Sequence, residues 1–310
     1  MAADARPARP SKEEPMQPAD LAVFAAVARL GSMRAAAEAL NTVQSNVTAR
    51  IRALEAEIGT PLFARHSRGV VPTAAGRRLL PYVDRIAGLI DEAAAAARDD
   101  GTPHGPLVVG ALETTLALRL SPRLAGFTRD CPDVDLMLRT GTTAELIERV
   151  LRRDLEAAFV CGPVDHSDLV SETMFREELV VMTAPDAPPL DAGPAPGDLR
   201  VVVLRLGCSY RQQLEEVLAR RGIVGLRVQE FGTLEAIFGC VAAGLGVTLL
   251  PRALLGPVWP AERVRVHALP PADARVDTVL IRRRDGRLSS ALAAFVAAMR
   301  ESRPAAIAAE

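Results

Sequence analysis

The sequence predicts an α/β protein in two parts, a small α-rich module at the front and a larger domain of alternating strands and helices behind it. Three observations predict this. Three short segments with helical apolar spacing crowd between Asp20 and Ile58, a heptad-spaced segment runs from Thr73 to about Arg98, and beyond Pro106 strand-like runs alternate with amphipathic ones. A chain of 310 residues, 49% of them hydrophobic, has material for a core in each part.

Residues 1–16 are mostly Ala, Pro, Asp, Glu and Arg, and are expected to form a disordered tail rather than a signal peptide or anchor. Leu21, Phe24, Val27 and Leu30 recur three apart and mark the first helix. Gly31 closes it, and Ser32 is placed to cap a short second helix from Met33 to Leu40. In the third segment, Thr42–Ile58, the residues Val47, Ile51, Leu54 and Ile58 recur at steps of four, three and four, a single stripe that demands burial. The opposite face carries Ser45, Ala49, Arg52 and Ala56, flanked by Thr48 and Arg50. Small hydrogen-bonding groups followed by arginines suit close approach to base edges, with charge held for phosphates. Any amphipathic surface helix has a small polar face, so the neighbours decide. Gly59 stops the helix, Leu62 and Phe63 can plug a core, and Arg65–Val71 reads as two short strands around a basic turn. That order is a winged helix-turn-helix, expected over 17–72.

Residues 17–80 resemble the DNA-binding domain of the LysR-type transcriptional regulators. The matching words are Asp20-Leu21 with Phe24-Ala25-Ala26-Val27-Ala28, Gly31-Ser32, Ala36-Ala37-Glu38-Ala39-Leu40, Gln44-Ser45 with Val47, Ile51-Arg52-Ala53-Leu54-Glu55, Pro61-Leu62-Phe63, Arg65, Arg68-Gly69-Val70, and Thr73 with Ala75-Gly76. The resemblance implies base contacts from Gln44, Ser45 and Thr48, with Arg65 and Arg68 at the minor groove and backbone. Asn46, Arg50 and Arg52 join them on geometry, and Ser32 completes the candidate set. Two positions depart from the family. Val43 stands where a capping Ser or Thr is usual, leaving Thr42 or Asn41 to cap, and Ala49 stands where many members carry arginine.

The net charge of −1 argues against a nucleic-acid binder until it is mapped. Residues 17–78 hold eight arginines against four acids, +4, so the remainder carries −5. The cationic excess therefore sits in the helix-turn-helix.

From Thr73, Leu79, Val83, Ile86, Ile90, Ala93 and Ala97 make a heptad seam, predicting a helix over 73–99. Such a seam packs on the chain's own larger domain or, as the resemblance implies, on another subunit's copy. Pro81 interrupts its hydrogen-bond ladder and is expected to kink it near Arg77. Residues 100–106 read as a hinge. Beyond them lie Leu107–Gly110, Val134–Arg139, Ala157–Val160, Leu179–Thr183, Val201–Leu206, Val228–Phe231, Val247–Leu250 and Thr278–Arg282 as strands, and Leu116–Arg129, Ala144–Arg153, Arg211–Arg221, Leu234–Ala243 and Ser289–Arg300 as helices. The alternation predicts a largely parallel sheet. The resemblance continues here: a two-subdomain effector domain over 107–303, similar to periplasmic binding proteins, with subdomain I at about 107–178 and 267–303, subdomain II at about 179–266, and a tail at 304–310.

In such a fold, strand-to-helix junctions present free N–H groups and the positive end of the helix dipole to a cleft, favouring an anion. Hydroxyls recur at those junctions, and Leu112, Thr114, Thr115, Thr142, Cys161, Cys208, Ser209, Tyr210 and Thr233 are the candidate effector-binding residues. Many of these Ser and Thr side chains are also expected to cap their helices. Glu113 is out of place, because a carboxylate in the cleft repels an anion unless the effector also carries an amine or Glu113 points away.

The four cysteines, Cys131, Cys161, Cys208 and Cys240, are widely spaced, which argues against a zinc module or disulfide framework. Cys208 leaves a redox-sensing alternative open, since a helix dipole lowers a thiol pKa, but no second cysteine follows it within thirty residues. A soluble α/β enzyme is the other alternative. It is disfavoured by the lack of a P-loop, a dinucleotide-binding turn, a nucleophile elbow or a His-rich cluster. No cofactor or metal is expected. The expected partners are double-stranded promoter DNA, a small-molecule effector, further copies of the chain as a dimer or tetramer, and RNA polymerase. No membrane is expected among them, and the expected location is cytoplasmic.

Overall fold

The computed structural model describes residues 16–66, 69–188 and 199–300, and the chain divides into two units at Ala97 and Arg98. The first unit holds α1 (Pro18–Leu30), α2 (Met33–Ala39), α3 (Gln44–Ile58), β1 (Phe63–His66), β2 (Gly69–Pro72) and α4 (Ala74–Arg98). Its core is the predicted stripe of α3, Val47, Ile51 and Leu54, closed against Phe24 and Val27 of α1 and against Leu62 and Phe63. Phe24 and Phe63 lie with ring centroids 5.2 Å apart. Each such buried side chain contributes roughly 1.5–3 kcal/mol.

Local chemistry sets the joints. Gly31 ends α1 in the left-handed region at φ 63°, and its carbonyl accepts the N–H of Val70 at 2.9 Å, seating β2 on the α1–α2 turn. Ser32 caps α2 through Ala35 N–H at 3.2 Å. The start of α3 departs from expectation. Val43 is its N-cap residue, and neither Thr42 nor Asn41 caps it, because the Thr42 hydroxyl accepts the Asn46 side-chain amide at 2.9 Å instead. Thr73 opens α4, accepting Gly76 N–H at 3.1 Å while donating to the Pro61 carbonyl at 2.8 Å. α4 runs through Pro81 as one helix. Along its seam Val83 is buried and Leu79 and Ile86 half-buried, whereas Ile90, Ala93 and Ala97 are exposed.

The second unit begins with β3 (Gly105–Ala111), so the expected hinge over 100–106 already belongs to a strand at its end. The residues before it are also tied down, since Asp99 accepts Ser290 N–H at 3.0 Å and the Thr102 carbonyl accepts the Ser290 hydroxyl at 2.9 Å. There follow a short helix α5 (Glu113–Thr115), a π-helical stretch Leu116–Leu120, α6 (Ser121–Asp130), β4 (Val134–Thr140), α7 (Thr143–Leu151), β5 (Ala157–Cys161) and β6 (Leu169–Thr183). Then come β7 (Arg200–Leu204), α8 (Ser209–Arg220), β8 (Arg227–Phe231), α9 (Leu234–Ala242), β9 (Thr248–Pro251), β10 (Arg265–Ala268), α10 (Pro271–Ala274), β11 (Arg275–Arg283) and α11 (Ser290–Arg300).

The sheet is mixed, not largely parallel. β3 pairs in parallel with β4 and β5, but β11 runs antiparallel to β5 and β6, and β9 and β10 antiparallel to β6, while β7 and β8 pair in parallel as a separate two-stranded sheet. β6 joins the two halves: its first part pairs with β11 and its last residues, Leu179–Thr183, with β9 and β10. His267 and Ala268 still pair with Val181 and Val180, so the chain returns to the first half later than residue 267, after α10. Alternation along β3 sends Leu107, Val109 and Ala111 to the core built on Phe127, Phe159 and Phe295, and Val108 to the core shared with Leu146 and Leu155.

Candidate functional site

Two surfaces draw polar groups together. In the first unit, burial of the Val47 stripe turns Gln44, Ser45, Asn46 and Arg52 to solvent and leaves Thr48 half-exposed. Gln44, Ser45 and Arg52 make no side-chain hydrogen bond or ion pair among the described residues. Thr48 donates to the Gln44 carbonyl at 2.9 Å, and Arg50 turns to Asp20 of α1 at 3.3 Å. Ser32 uses its hydroxyl as the α2 cap, Arg65 is exposed on β1, and Arg68 lies outside the described residues. Glu55 fixes α3 to the strand pair, its Oε1 accepting the backbone N–H groups of Leu62 at 2.7 Å and Phe63 at 3.1 Å.

In the second unit, parallel strands deliver their C-terminal ends to one edge, where a cavity of about 350 Å³ opens between the halves. Leu112, Glu113 and Thr114 line it after β3, Gly141, Thr142 and Thr143 after β4, and Cys161 at the end of β5. The other wall comes from Arg205, Cys208, Ser209 and Tyr210 after β7, and Gly232 and Thr233 after β8. Hydrogen bonds cross the cleft among the described residues: Ser209 Oγ donates to Thr143 Oγ1 at 3.0 Å, and Leu234 N–H donates to Glu113 Oε1 at 3.3 Å. Thr142 and Glu145 form a reciprocal capping box on α7, and Thr233 caps α9 through Ala236 N–H at 3.3 Å. Burial raises the Glu113 carboxyl pKa, partly offset by the Leu234 N–H. Burial likewise raises the thiol pKa of Cys208, and pushes that of Cys161 up to about 11.

Two family descriptions match the chain: "Bacterial regulatory helix-turn-helix protein, lysR family" over residues 18–77 and "LysR substrate binding domain" over residues 100–304. The chain belongs to the LysR family of transcriptional regulators. Among its relatives is the HTH-type transcriptional regulator GltR of Bacillus subtilis strain 168, 42% identical over 281 residues, covering 91% of this chain and 95% of that protein. The HTH-type transcriptional regulator CzcR of Bacillus cereus is 38% identical over 286 residues, covering 92% and 98%. These relatives are regulators, not enzymes. Full-length CbnR complexed with its target DNA shares the fold, with a TM-score of 0.63 at 24% identity, covering 92% of this chain and 99% of that one. Full-length OxyR from Pseudomonas aeruginosa does so with a TM-score of 0.67 at 20% identity, covering 93% and 95%.

In this LysR-family regulator, eight of the nine cleft residues expected from sequence line the cavity, and Thr115 does not. Successive helical residues point about 100° apart, so with Thr114 turned to the cleft Thr115 packs into the interior. The dipole-lowered thiol expected at Cys208 is reversed by burial. Cys161, from the other half, lines the same cavity as Cys208, and both are free thiols. Sequence reasoning missed Thr140, Leu116, Leu204 and Arg205 as lining residues. Arg205 carries a usable signal, an arginine three residues before an α8 N-cap. No helix among the described residues is long and apolar enough to cross a membrane.

Proposed function

We propose that this regulator reads promoter DNA through the front of α3 and the β1–β2 wing, and that a small molecule in the cleft between the halves of the second unit sets its output. The observation that carries the first part is the division of α3. The stripe of Val47, Ile51 and Leu54 is buried, while the side chains of Gln44, Ser45 and Arg52 stand exposed without partners among the described residues. Unpaired donors on a rigid helix are available to base edges and phosphates. Thr48 and Asn46 flank them, Arg65 and Arg68 serve the groove beside the wing, Arg50 ties α3 to α1 through Asp20, and Ser32 caps α2.

The regulator acts in the cytoplasm as a homodimer or a homotetramer, contacting RNA polymerase from its promoter site. Self-association is supported by α4, where Leu89 and Ile90 are each 47% exposed next to Ala93. Two copies related by a two-fold axis would read a symmetric site. The cleft reading is supported by the two cross-cleft hydrogen bonds, which a bound molecule would replace or tighten, biasing open and closed forms. The test is electrophoretic mobility on the intergenic DNA beside the regulator's own gene. Arg52→Ala with Arg65→Ala should weaken binding and flatten its salt dependence by about 0.9 in log–log slope per lost phosphate contact. Unchanged binding and slope would remove both arginines from the interface.

A further inference from the structure

The cleft presents two electrical poles that a ligand of a single charge leaves half satisfied. Glu113 is one. Its Oε1 accepts Leu234 N–H at 3.3 Å, and no described residue donates to its other oxygen. The charges facing it are Glu235 on α9 and Arg205, exposed at the rim, and neither forms an ion pair with it among the described residues. Burial raises its pKa, so an unneutralised charge here is disfavoured and an incoming cation relieves that penalty.

The other pole is the front of α8, a helix of 12 residues. Of the long helices that open on this cavity, α7 is capped by Thr142 and Glu145, and α9 by Thr233 with Glu113 on its first N–H. α8 instead starts at Cys208, whose sulfur, a weak acceptor that makes no capping hydrogen bond among the described residues, is what faces the N–H groups of Tyr210 and Arg211, leaving the positive end of its dipole without an oxygen. A second observation marks the same cavity. Thr114 is only 2% exposed, lines the cleft, and its hydroxyl oxygen has no hydrogen-bond partner among the described residues. The Tyr210 phenol is a neighbour of that hydroxyl, but the two do not meet in hydrogen-bonding geometry. A buried orphan hydroxyl is costly unless something completes it. Between the poles, Leu112, Leu116 and Leu204 give the cavity apolar wall.

We propose that the effector is a zwitterion, an α-amino acid or a near analogue. Its ammonium lies on Glu113, its carboxylate lies at the first turn of α8 beside the Ser209 and Thr114 hydroxyls, and its side chain lies against Leu116 and Leu204. This rests on the cleft being the effector site, and it resolves the presence of a carboxylate among anion-favouring helix ends. A simple organic acid would leave Glu113 facing like charge, and a simple amine would leave α8 open.

The test uses full-length regulator and L-amino acids with uncharged side chains, each beside its deaminated acid and its decarboxylated amine. Binding is ranked by thermal shift and then measured by calorimetry. The expected result is an amino acid that binds at least about tenfold more tightly than its matched acid and its matched amine, the scale of one lost charge-assisted hydrogen bond. Glu113→Gln, which keeps an oxygen for Leu234 N–H, should lower amino-acid affinity about tenfold to a hundredfold and spare the matched acid. A matched acid that binds as tightly as its amino acid, or a Glu113→Gln variant with undiminished amino-acid affinity, overturns the proposal and leaves the cleft reading intact. The wild-type comparison alone decides this if the variant fails to fold. Binding by none of the three classes overturns the proposal, and binding that survives filling the cleft with Ser209→Phe overturns the cleft reading and the proposal with it.

Discussion

Removing the Glu55 side chain should loosen the joint between α3 and the wing. One carboxylate oxygen accepts two consecutive backbone N–H groups, Leu62 at 2.7 Å and Phe63 at 3.1 Å, across the turn that carries the chain from α3 into β1. Hydrogen bonds to a charged acceptor are worth about 1.5–3 kcal/mol each. Glu55 is half-buried, so in Glu55→Ala water recovers part of the loss, and a net cost of about 2 kcal/mol is reasonable. At about 1.4 kcal/mol per decade, that corresponds to roughly thirtyfold faster local opening. Hydrogen exchange of full-length protein, read by mass spectrometry on a peptide covering residues 59–66, measures it directly. Glu55→Gln, which keeps an acceptor oxygen, should fall between wild type and Glu55→Ala. Less than about a threefold change in Glu55→Ala, with helix content intact, would refute the clamp, because a loss that small is under about 1 kcal/mol.

Asp99 supplies a pH prediction. Hydrogen bonding, first from Ser290 N–H and then from Gly101 N–H, holds its carboxyl down to about 2 from 3.8. A folded pKa below the unfolded one gives stability that is present above about 3.8 and lost as pH falls toward 2, so protection from exchange at residues 99–104 and the start of α11, referred to the intrinsic rate at each pH, should fall across that interval in wild type and stay flat there in Asp99→Asn. Gly76→Ala should cost more than a typical surface change, on the order of 2 kcal/mol in chemical denaturation, because a Cβ there would sit 2.3 Å from the Leu62 carbonyl oxygen. A Gly76→Ala variant as stable as wild type would contradict that packing. Leu89→Ser with Ile90→Ser should shift full-length protein toward monomer in analytical ultracentrifugation without loss of helix, and an unchanged sedimentation profile would argue against α4 as the pairing surface.

How much of this was legible in the sequence depends on whether the signal was local. The α3 stripe, the Gly31 stop and the Ser32 cap are fixed by residues within a turn or two of each other, and they read correctly. The strand-to-helix junctions were legible because each short apolar run ends at a hydroxyl, a glycine or a cysteine. β6 was not legible as one strand of 15 residues. Its first part, Ser171–Thr173 with Arg176, is exposed and polar, so only the buried end at Leu179–Thr183 carries a strand signal. β10 and α10, which decide where the chain returns to the first half, are too short to show periodicity. The reach of Glu113 to Leu234 spans 121 positions in sequence, and no pattern around either residue announces it. The Arg50–Asp20 pair is similar: spacing placed Arg50 beside the polar face of α3, but a carboxylate on another helix decided its direction.

Salt-dependent affinity of the purified full-length regulator for duplex DNA from its own locus tests the central claim most directly. Binding should weaken linearly on a log–log plot as salt rises, and Arg52→Ala with Arg65→Ala should lower both affinity and slope. Affinity that is absent at low salt, or that ignores both salt and those two arginines, would contradict a DNA-reading front unit.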